Sequence, residues 1–191
     1  MFNKRLRRNL LSTLFIALTL MLSLNAFSQD TNNLIYNPSF EEYSECPKNI
    51  EPYGYMSQAV AWWQPTGGSA DYYNKCGKKQ TTVPKNKLGI QMPRTGVGMV
   101  GIYTSKTTYR EYVQTQLKQD LLEGERYKLR FYVSLSEYSA GAVATIGGLF
   151  TKERIEENTR EMLTDKTTKK YEKGVSQSIS TYLKPQVVNP F

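Results

Sequence analysis

The sequence contains no histidine and only two cysteines. Without histidine, Ser-His-Asp and Cys-His catalysis are excluded and the usual zinc sites are removed. A phosphate-binding glycine loop is also missing, because the run "TGVGMVG" has the wrong spacing and no following lysine. Paired carboxylates could still hydrolyse glycosides, but nothing in the sequence fixes two acids at a catalytic separation. We therefore expect a protein that is not an enzyme.

The first 28 residues have the three parts of a signal peptide. A basic start over 4–8 precedes an almost wholly apolar run over 10–24, and Ala26-Phe27-Ser28 has the small-x-small pattern that signal peptidase accepts. An uncleaved membrane anchor is the alternative, since the apolar run is only slightly shorter than the roughly 18 to 20 residues that span a bilayer. The small residues before the cut favour cleavage. We predict a signal peptide over 1–28, one domain over 29–191, and export to the periplasm, outer membrane or extracellular space.

Charge is modest once this segment is removed. The predicted signal holds four of the 25 basic residues and none of the 17 acidic ones, so the formal net charge falls from +8 to +4. The remaining lysines are scattered through turns and do not form a basic patch interleaved with aromatic residues, so we predict no nucleic-acid partner. Attraction to acidic surface polymers has only weak support from this pattern.

The two cysteines, Cys46 and Cys76, are expected to pair, because an exported chain with an even number of cysteines tends to form disulfides. Two unrelated buried thiols are the alternative. In the chain-entropy model, closing a loop of about 30 residues stabilises the fold by roughly 3 to 4 kcal/mol.

Alternation of apolar and polar residues indicates β-strands. The clearest run, "GERYKLRFYVSLSE", has Tyr127, Leu129, Phe131, Val133 and Leu135 on one face. Similar short runs are "NLIYNPSF", "VGMVGIYT", "REYVQTQLKQDLLEGE", "GAVATIGGLF" and "VSQSISTYL". Many short strands separated by polar turns predict an all-β sandwich. The charged stretch over 152–173 is expected to be a short helix or a solvated loop inserted into it.

Aromatic and polar side chains are concentrated in a stretch rich in Gly, Pro and Asn, which we interpret as ordered loops. A sugar stacks its CH face on an aromatic ring while its hydroxyl groups need fixed polar partners. The candidate ligand-binding residues are Trp62, Trp63, Asp71, Tyr72, Tyr73, Asn74 and Arg94. Alternatively, one ring of the Trp pair faces the core. For either Trp62 or Trp63 we favour this core position over a role in binding.

Several motifs in order resemble a known family. The segments "NLIYNPSFEEY" and "REYVQTQLKQDLLEGERYKLRFYVSLSE" are similar to the galactose-binding-like jelly roll of carbohydrate-binding modules. The match is narrowed by "NPSFEEY", "WWQPTGGSADYYNKC", "GIQMPRTGVGMVGIY" and "REYVQTQL". The resemblance extends over most of residues 33–150. It is to the N-terminal module of exported Bacteroidetes proteins, which is often joined to an OmpA-like domain or to a gliding-motility or type IX secretion sorting domain.

This resemblance implies a jelly-roll β-sandwich, a carbohydrate ligand and a structural calcium ion held in part by Glu41. It also implies further strands after "PQVVNP", so we expect the sandwich to lack its last strands at the C-terminus, with membrane association only through a missing or partner domain. The alternative function is a structural or assembly protein of the outer membrane, gliding or secretion machinery that binds protein partners.

Overall fold

The structure, a computed structural model, describes residues 32–48, 56–143 and 146–164. The chain divides into two compact units, Met1–Asn33 and Leu34–Phe191, and the strands lie in the second. The predicted signal peptide over 1–28 and the predicted strand "VSQSISTYL" lie outside the described residues.

The described residues are built from short antiparallel strands. Trp62–Trp63 (β1) pairs with Gln114–Thr115 (β6), Asp71–Asn74 (β2) pairs with Gly98–Gly101 (β5), and Lys85–Asn86 (β3) pairs with Gly89–Ile90 (β4). The two helical turns of this part of the chain are 3₁₀ turns, Met56–Gln58 and Lys79–Thr81. The predicted all-β class is therefore confirmed. No helix among the residues described has both the length and the apolar character needed to cross a membrane.

The pair β2–β5 separates two small apolar cores. Tyr72 lies opposite Val100 and Tyr73 lies opposite Met99. Because successive side chains of a strand point to opposite faces, the two tyrosines enter different cores. The core around Tyr72 contains Met56, Ala59, Phe40, Trp62, Val100 and Val113, and the core around Tyr73 contains Val83, Leu88 and Met99.

The segment before β1 is held by the side chain of Asn37. Its amide nitrogen donates to the carbonyl oxygens of Glu42 and Val60, at 2.7 and 3.0 Å, and its amide oxygen accepts the Glu42 N–H. This brings Phe40 onto Trp62, with 4.7 Å between ring centroids. The Trp62 indole N–H donates to the Asn37 carbonyl at 3.0 Å. Phe40 therefore closes one side of the core.

The predicted disulfide is confirmed. Cys46 and Cys76 are bonded, with 5.5 Å between their Cα atoms. Beside the bond, the Pro47 carbonyl accepts the Lys78 N–H at 3.2 Å and the Thr81 hydroxyl at 2.7 Å. The disulfide and these two hydrogen bonds fix the 46–48 segment against the 76–81 segment.

The predicted strand over 127–135 is wrong. This run forms no strand although all of it is described, and Val133 and Leu135 are each 54% exposed. Alternation specifies which side chains share a face, but a strand also needs a partner edge, and no strand of the described part pairs with this run. The segment is instead attached at its end, where the Ser136 hydroxyl donates to the Leu88 carbonyl and the Glu137 carboxylate accepts the Ile90 N–H.

The stretches that follow are also irregular. No strand forms in the described residues of "GAVATIGGLF", and residues 152–164 of the predicted charged insertion form no helix. Ile155 in this insertion is nevertheless buried, and single bridges join Glu157 to Thr66 and Glu161 to Tyr109. Residues 152–164 of the insertion are therefore a loop packed on the rest of the described chain, and residues 165–173 lie outside the described residues.

Candidate functional site

The two adjacent tryptophans are in strand β1, not in a loop as expected. Trp62 packs on the core, which confirms that one ring of the pair faces inward. Trp63 is half-buried, and the Arg154 guanidinium covers its ring at 4.4 Å from the centroid. Trp62 is therefore part of the core, and Arg154 occupies one face of Trp63.

Strand β2 contains four of the other candidates and buries three of them. Tyr72, Tyr73 and Asn74 are each 2% exposed or less. The Tyr72 hydroxyl donates to the Phe40 carbonyl at 2.8 Å and accepts from the Asn74 amide at 2.7 Å. The Tyr73 hydroxyl donates to the Asp71 carboxylate at 3.3 Å. Tyr72 and Tyr73 pack in the two cores and Asn74 is bonded to Tyr72, so these side chains are unavailable as a ligand-binding surface.

Arg94 lies on the exposed surface. Its guanidinium carbon is 3.8 Å from the centroid of the Tyr132 ring, a cation–π contact. A hydrogen bond from Arg130 and the charge of Arg94 lower the pKa of Tyr132. No described contact joins Arg94 to the residues of β1 or β2, so the structure does not assemble the seven candidates into one site.

Glu41 has backbone partners. Its carboxylate accepts the Val97 N–H at 2.9 and 3.0 Å and the Gly98 N–H at 2.9 Å. A Cβ atom on Gly96, whose φ is +64°, would collide with this carboxylate. Calcium requires six to eight oxygen ligands, and no cluster of three or more His, Cys, Asp or Glu side chains suited to a metal occurs among the described residues. Glu41 therefore joins the first segment to the start of β5.

A polar pocket lies beside β1 and β2. We call it the Ser69 pocket; it has a volume of about 170 Å³ and is lined by Gln64, Thr66, Gly67, Gly68, Ser69, Tyr109 and Arg160. Residues 65–67 contact the 157–159 segment through the Glu157 N–H to the Pro65 carbonyl, at 2.9 Å, and the Gly67 N–H to the Thr159 carbonyl, at 2.7 Å. The Gln64 side chain closes the loop by donating to the Ala70 carbonyl at 2.9 Å.

The two glycines allow the walls to approach closely. A Cβ atom on Gly67 would lie 3.2 Å from the Thr159 carbonyl oxygen, and one on Gly68 would lie 3.1 Å from the Arg110 carbonyl oxygen. Both contacts are with backbone atoms, which cannot move aside as a flexible side chain can. Larger residues at these positions would therefore push the walls apart.

A buried carboxylate, Glu111, is bonded to two of the residues that line the pocket. One of its oxygens accepts the Ser69 hydroxyl at 2.9 Å, the Ser69 N–H at 3.2 Å and the Tyr109 hydroxyl at 2.5 Å. The other accepts the Tyr103 N–H at 2.6 Å. A buried charge is tolerated when hydrogen-bond donors surround it. The network therefore fixes the positions of Ser69 and Tyr109.

Burial and the hydrogen bond to Glu111 raise the pKa of Tyr109. Its hydroxyl stays protonated at neutral pH and acts as a donor toward the carboxylate. The Arg160 side chain makes no hydrogen bond or ion pair within the described part of the chain. The pocket therefore presents hydroxyl groups, an amide, an aromatic ring and one available cation.

No family model, curated protein or solved structure matches this chain. Its function is therefore inferred from its own geometry.

Sequence analysis missed Ser69, Tyr109, Glu111 and Arg160. A signal was present in the run "YREY", because Tyr109 and Glu111 are two residues apart and an extended backbone places them on the same face. Their meeting with Ser69 spans about 40 residues of sequence and depends on how the strands pair. No local pattern contains that information.

Proposed function

We propose that the protein is an exported, non-catalytic module of the cell envelope that binds carbohydrate in the Ser69 pocket. The observation that carries the proposal is the buried Glu111 network, which holds a hydroxyl-lined pocket in one geometry. Fixed polar groups beside an aromatic ring are the surface that sugar hydroxyls and CH faces require. The Cys46–Cys76 disulfide indicates an oxidising, exported environment and supports this location.

The size of the pocket restricts the ligand. Pockets that enclose drug-sized molecules measure roughly 300 to 1,000 Å³, and the Ser69 pocket is smaller, at about 170 Å³. It therefore takes one small polar unit, such as one sugar of a longer chain. Glu111 supports the shape of the pocket and not a reaction, because its two oxygens accept four hydrogen bonds.

The proposal includes the finer fold. The antiparallel pairs β1–β6 and β2–β5 support a jelly-roll sandwich of the galactose-binding-like kind, in which connecting loops carry the ligand site. Residues 64–69 are such a connection, between β1 and β2.

Binding of the purified protein to a panel of neutral and acidic polysaccharides, measured by affinity electrophoresis and calorimetry, tests the proposal. Arg160→Ala removes a side chain that lines the pocket without breaking a described hydrogen bond. We expect it to weaken binding about tenfold, since a hydrogen bond to a charged group contributes about 1.5 to 3 kcal/mol.

Arg126→Ala is the matched control, because Arg126 is an exposed arginine outside the pocket lining. It should leave binding unchanged. Equal losses in both variants would show that total charge and not the pocket determines binding, and the absence of binding to every polysaccharide would overturn the proposal.

A second candidate function, an assembly protein that binds protein partners in the envelope, is favoured by the exposed apolar side chains over 127–135. If a partner covers this run, trypsin should cut after Lys128 and Arg130 in the purified protein but not in intact envelope fractions. Equal cleavage in the two preparations would contradict this function.

A further inference from the structure

Lysines from two distant parts of the sequence line one cleft. Lys48 lies next to Pro47, and Lys78, Lys79 and Gln80 follow Cys76 by a few residues. Together these four residues line a cleft with a volume of about 460 Å³, which we call the lysine cleft. In the sequence these lysines are about 30 residues apart, and the Cys46–Cys76 disulfide brings their segments together.

The backbone of the cleft is fixed. The Pro47 carbonyl accepts hydrogen bonds from Lys78 N–H and from the Thr81 hydroxyl, which is fully buried. The Thr81 N–H donates back to the Lys78 carbonyl at 3.2 Å, and the Gly77 N–H donates to the Asn74 carbonyl at 2.8 Å. A Cβ atom on Gly77 would collide with the Thr81 carbonyl. The lysines therefore project from a rigid support.

Among the described residues at the cleft, positive charge exceeds negative charge. Lys48 forms an exposed ion pair with Glu45 at 2.8 Å, and that carboxylate also accepts from the Gln58 amide at 3.3 Å. Lys78 and Lys79 form no ion pair with any residue that the structure describes. Two ammonium groups are thus left for an external anion.

We propose that the lysine cleft binds the anionic groups of an acidic polysaccharide. Ammonium groups attract carboxylate, sulfate and phosphate as point charges without demanding a planar geometry. None of the four residues that line the cleft in the described part of the chain is aromatic, whereas proteins that bind single-stranded nucleic acid stack the bases on aromatic side chains. The choice of ligand rests on the export in the proposed function, because an exported protein meets surface polysaccharides directly. The inference does not depend on the Ser69 pocket, which has different residues.

The test compares polygalacturonate, dextran sulfate, uncharged dextran and double-stranded DNA as probes for the purified, disulfide-bonded protein. We expect both acidic polysaccharides to bind and uncharged dextran not to bind at this cleft. The variant Lys78→Gln/Lys79→Gln should weaken binding of the acidic polysaccharides about tenfold at low salt. The difference should disappear near 1 M salt, where the screening length is about 3 Å.

The matched control is Lys106→Gln/Lys152→Gln, which removes the same charge from exposed positions outside the cleft. It should change binding less than about twofold. An equal loss in the control, or binding that both variants leave intact, would overturn the inference. Tighter binding of DNA than of either acidic polysaccharide would overturn the choice of ligand. Arg160→Ala separates the two proposals, because it should leave dextran sulfate binding at the cleft unchanged.

Discussion

Tyr72 combines complete burial with a polar hydroxyl, and this makes it sensitive to alkali. Burial, with smaller effects from the nearby charges of Glu41 and Tyr43, raises the pKa of Tyr72 from 10.0 to about 12, although the Asn74 hydrogen bond opposes this. Between these two values the unfolded chain loses its proton while the folded chain keeps it. Stability must therefore fall as pH rises through this window.

We predict that Tyr72→Phe flattens this part of the pH profile. The titration of Tyr72 costs the wild type on the order of 2 kcal/mol between pH 10 and pH 12, and the variant lacks this group. Urea unfolding followed at several pH values measures the effect. Exposed Tyr138 provides the control, since Tyr138→Phe should leave the wild-type slope in place. The same slope in wild type and Tyr72→Phe would contradict the assignment.

Glu41 is predicted to stabilise the fold through its hydrogen bonds and not through a metal ion. Glu41→Gln should lower the free energy of unfolding by about 1.5 to 3 kcal/mol, because a charged acceptor of the Val97 and Gly98 N–H groups is lost. Glu42→Gln makes the same charge change at an exposed neighbour and should have little effect. Chemical denaturation measures both. A rise in melting temperature with added calcium that Glu41→Gln abolishes would show that the family resemblance, and not this contact, describes Glu41.

At the scale of elements, the disulfide is the strongest connection that the sequence could predict. Replacing both cysteines, as Cys46→Ser/Cys76→Ser, should lower the free energy of unfolding by about 3 to 4 kcal/mol, because the bond spans 30 residues. The unfolding midpoint in urea measures this loss. Reduction of the wild type should lower the midpoint to the value of the variant. A loss below about 1 kcal/mol would show that the hydrogen bonds to Pro47 hold these segments without the bond.

Local patterns predicted the elements better than their partners. "VGMVGIYT" contains β5 and "REYVQTQL" contains β6, as expected from their extended character. Local patterns could not predict the pairing of β2 with β5 or the packing of a core on each side of it. Because of this packing, the candidate ligand contacts Tyr72, Tyr73 and Asn74 are buried. The cysteine count predicted the disulfide, but the convergence of Lys48 on Lys78 and Lys79 appears only once the loop is closed.

The run over 127–135 shows that a regular local pattern can fail to predict a strand. Its alternation is the most regular in the chain. Alternation predicts which side chains share a face, but it does not predict which strand pairs with the run or which core covers it. The contacts of Ser136 and Glu137 with the β3–β4 pair position the end of the run and leave its apolar side chains exposed. A strong local pattern is therefore insufficient to predict a strand when the pairing strand is distant in sequence.

At the scale of the whole molecule, this exposed apolar run competes with the positive net charge. Charge of one sign keeps molecules apart in solution, while unpaired apolar segments with strand-forming residues promote association. We predict that the purified protein associates as concentration and salt increase, because salt screens the repulsion and strengthens apolar contacts.

Val133→Lys/Leu135→Lys should suppress this association while leaving the free energy of unfolding within about 0.5 kcal/mol of wild type, since both side chains are 54% exposed. Light scattering and sedimentation velocity measure the association, and urea unfolding measures the stability. Ser134→Lys/Gln119→Lys adds the same charge at exposed polar positions without removing apolar surface. If it suppresses association equally, repulsion and not the apolar run governs the behaviour of the molecule; if only the first variant does so, the run itself is the surface through which molecules meet.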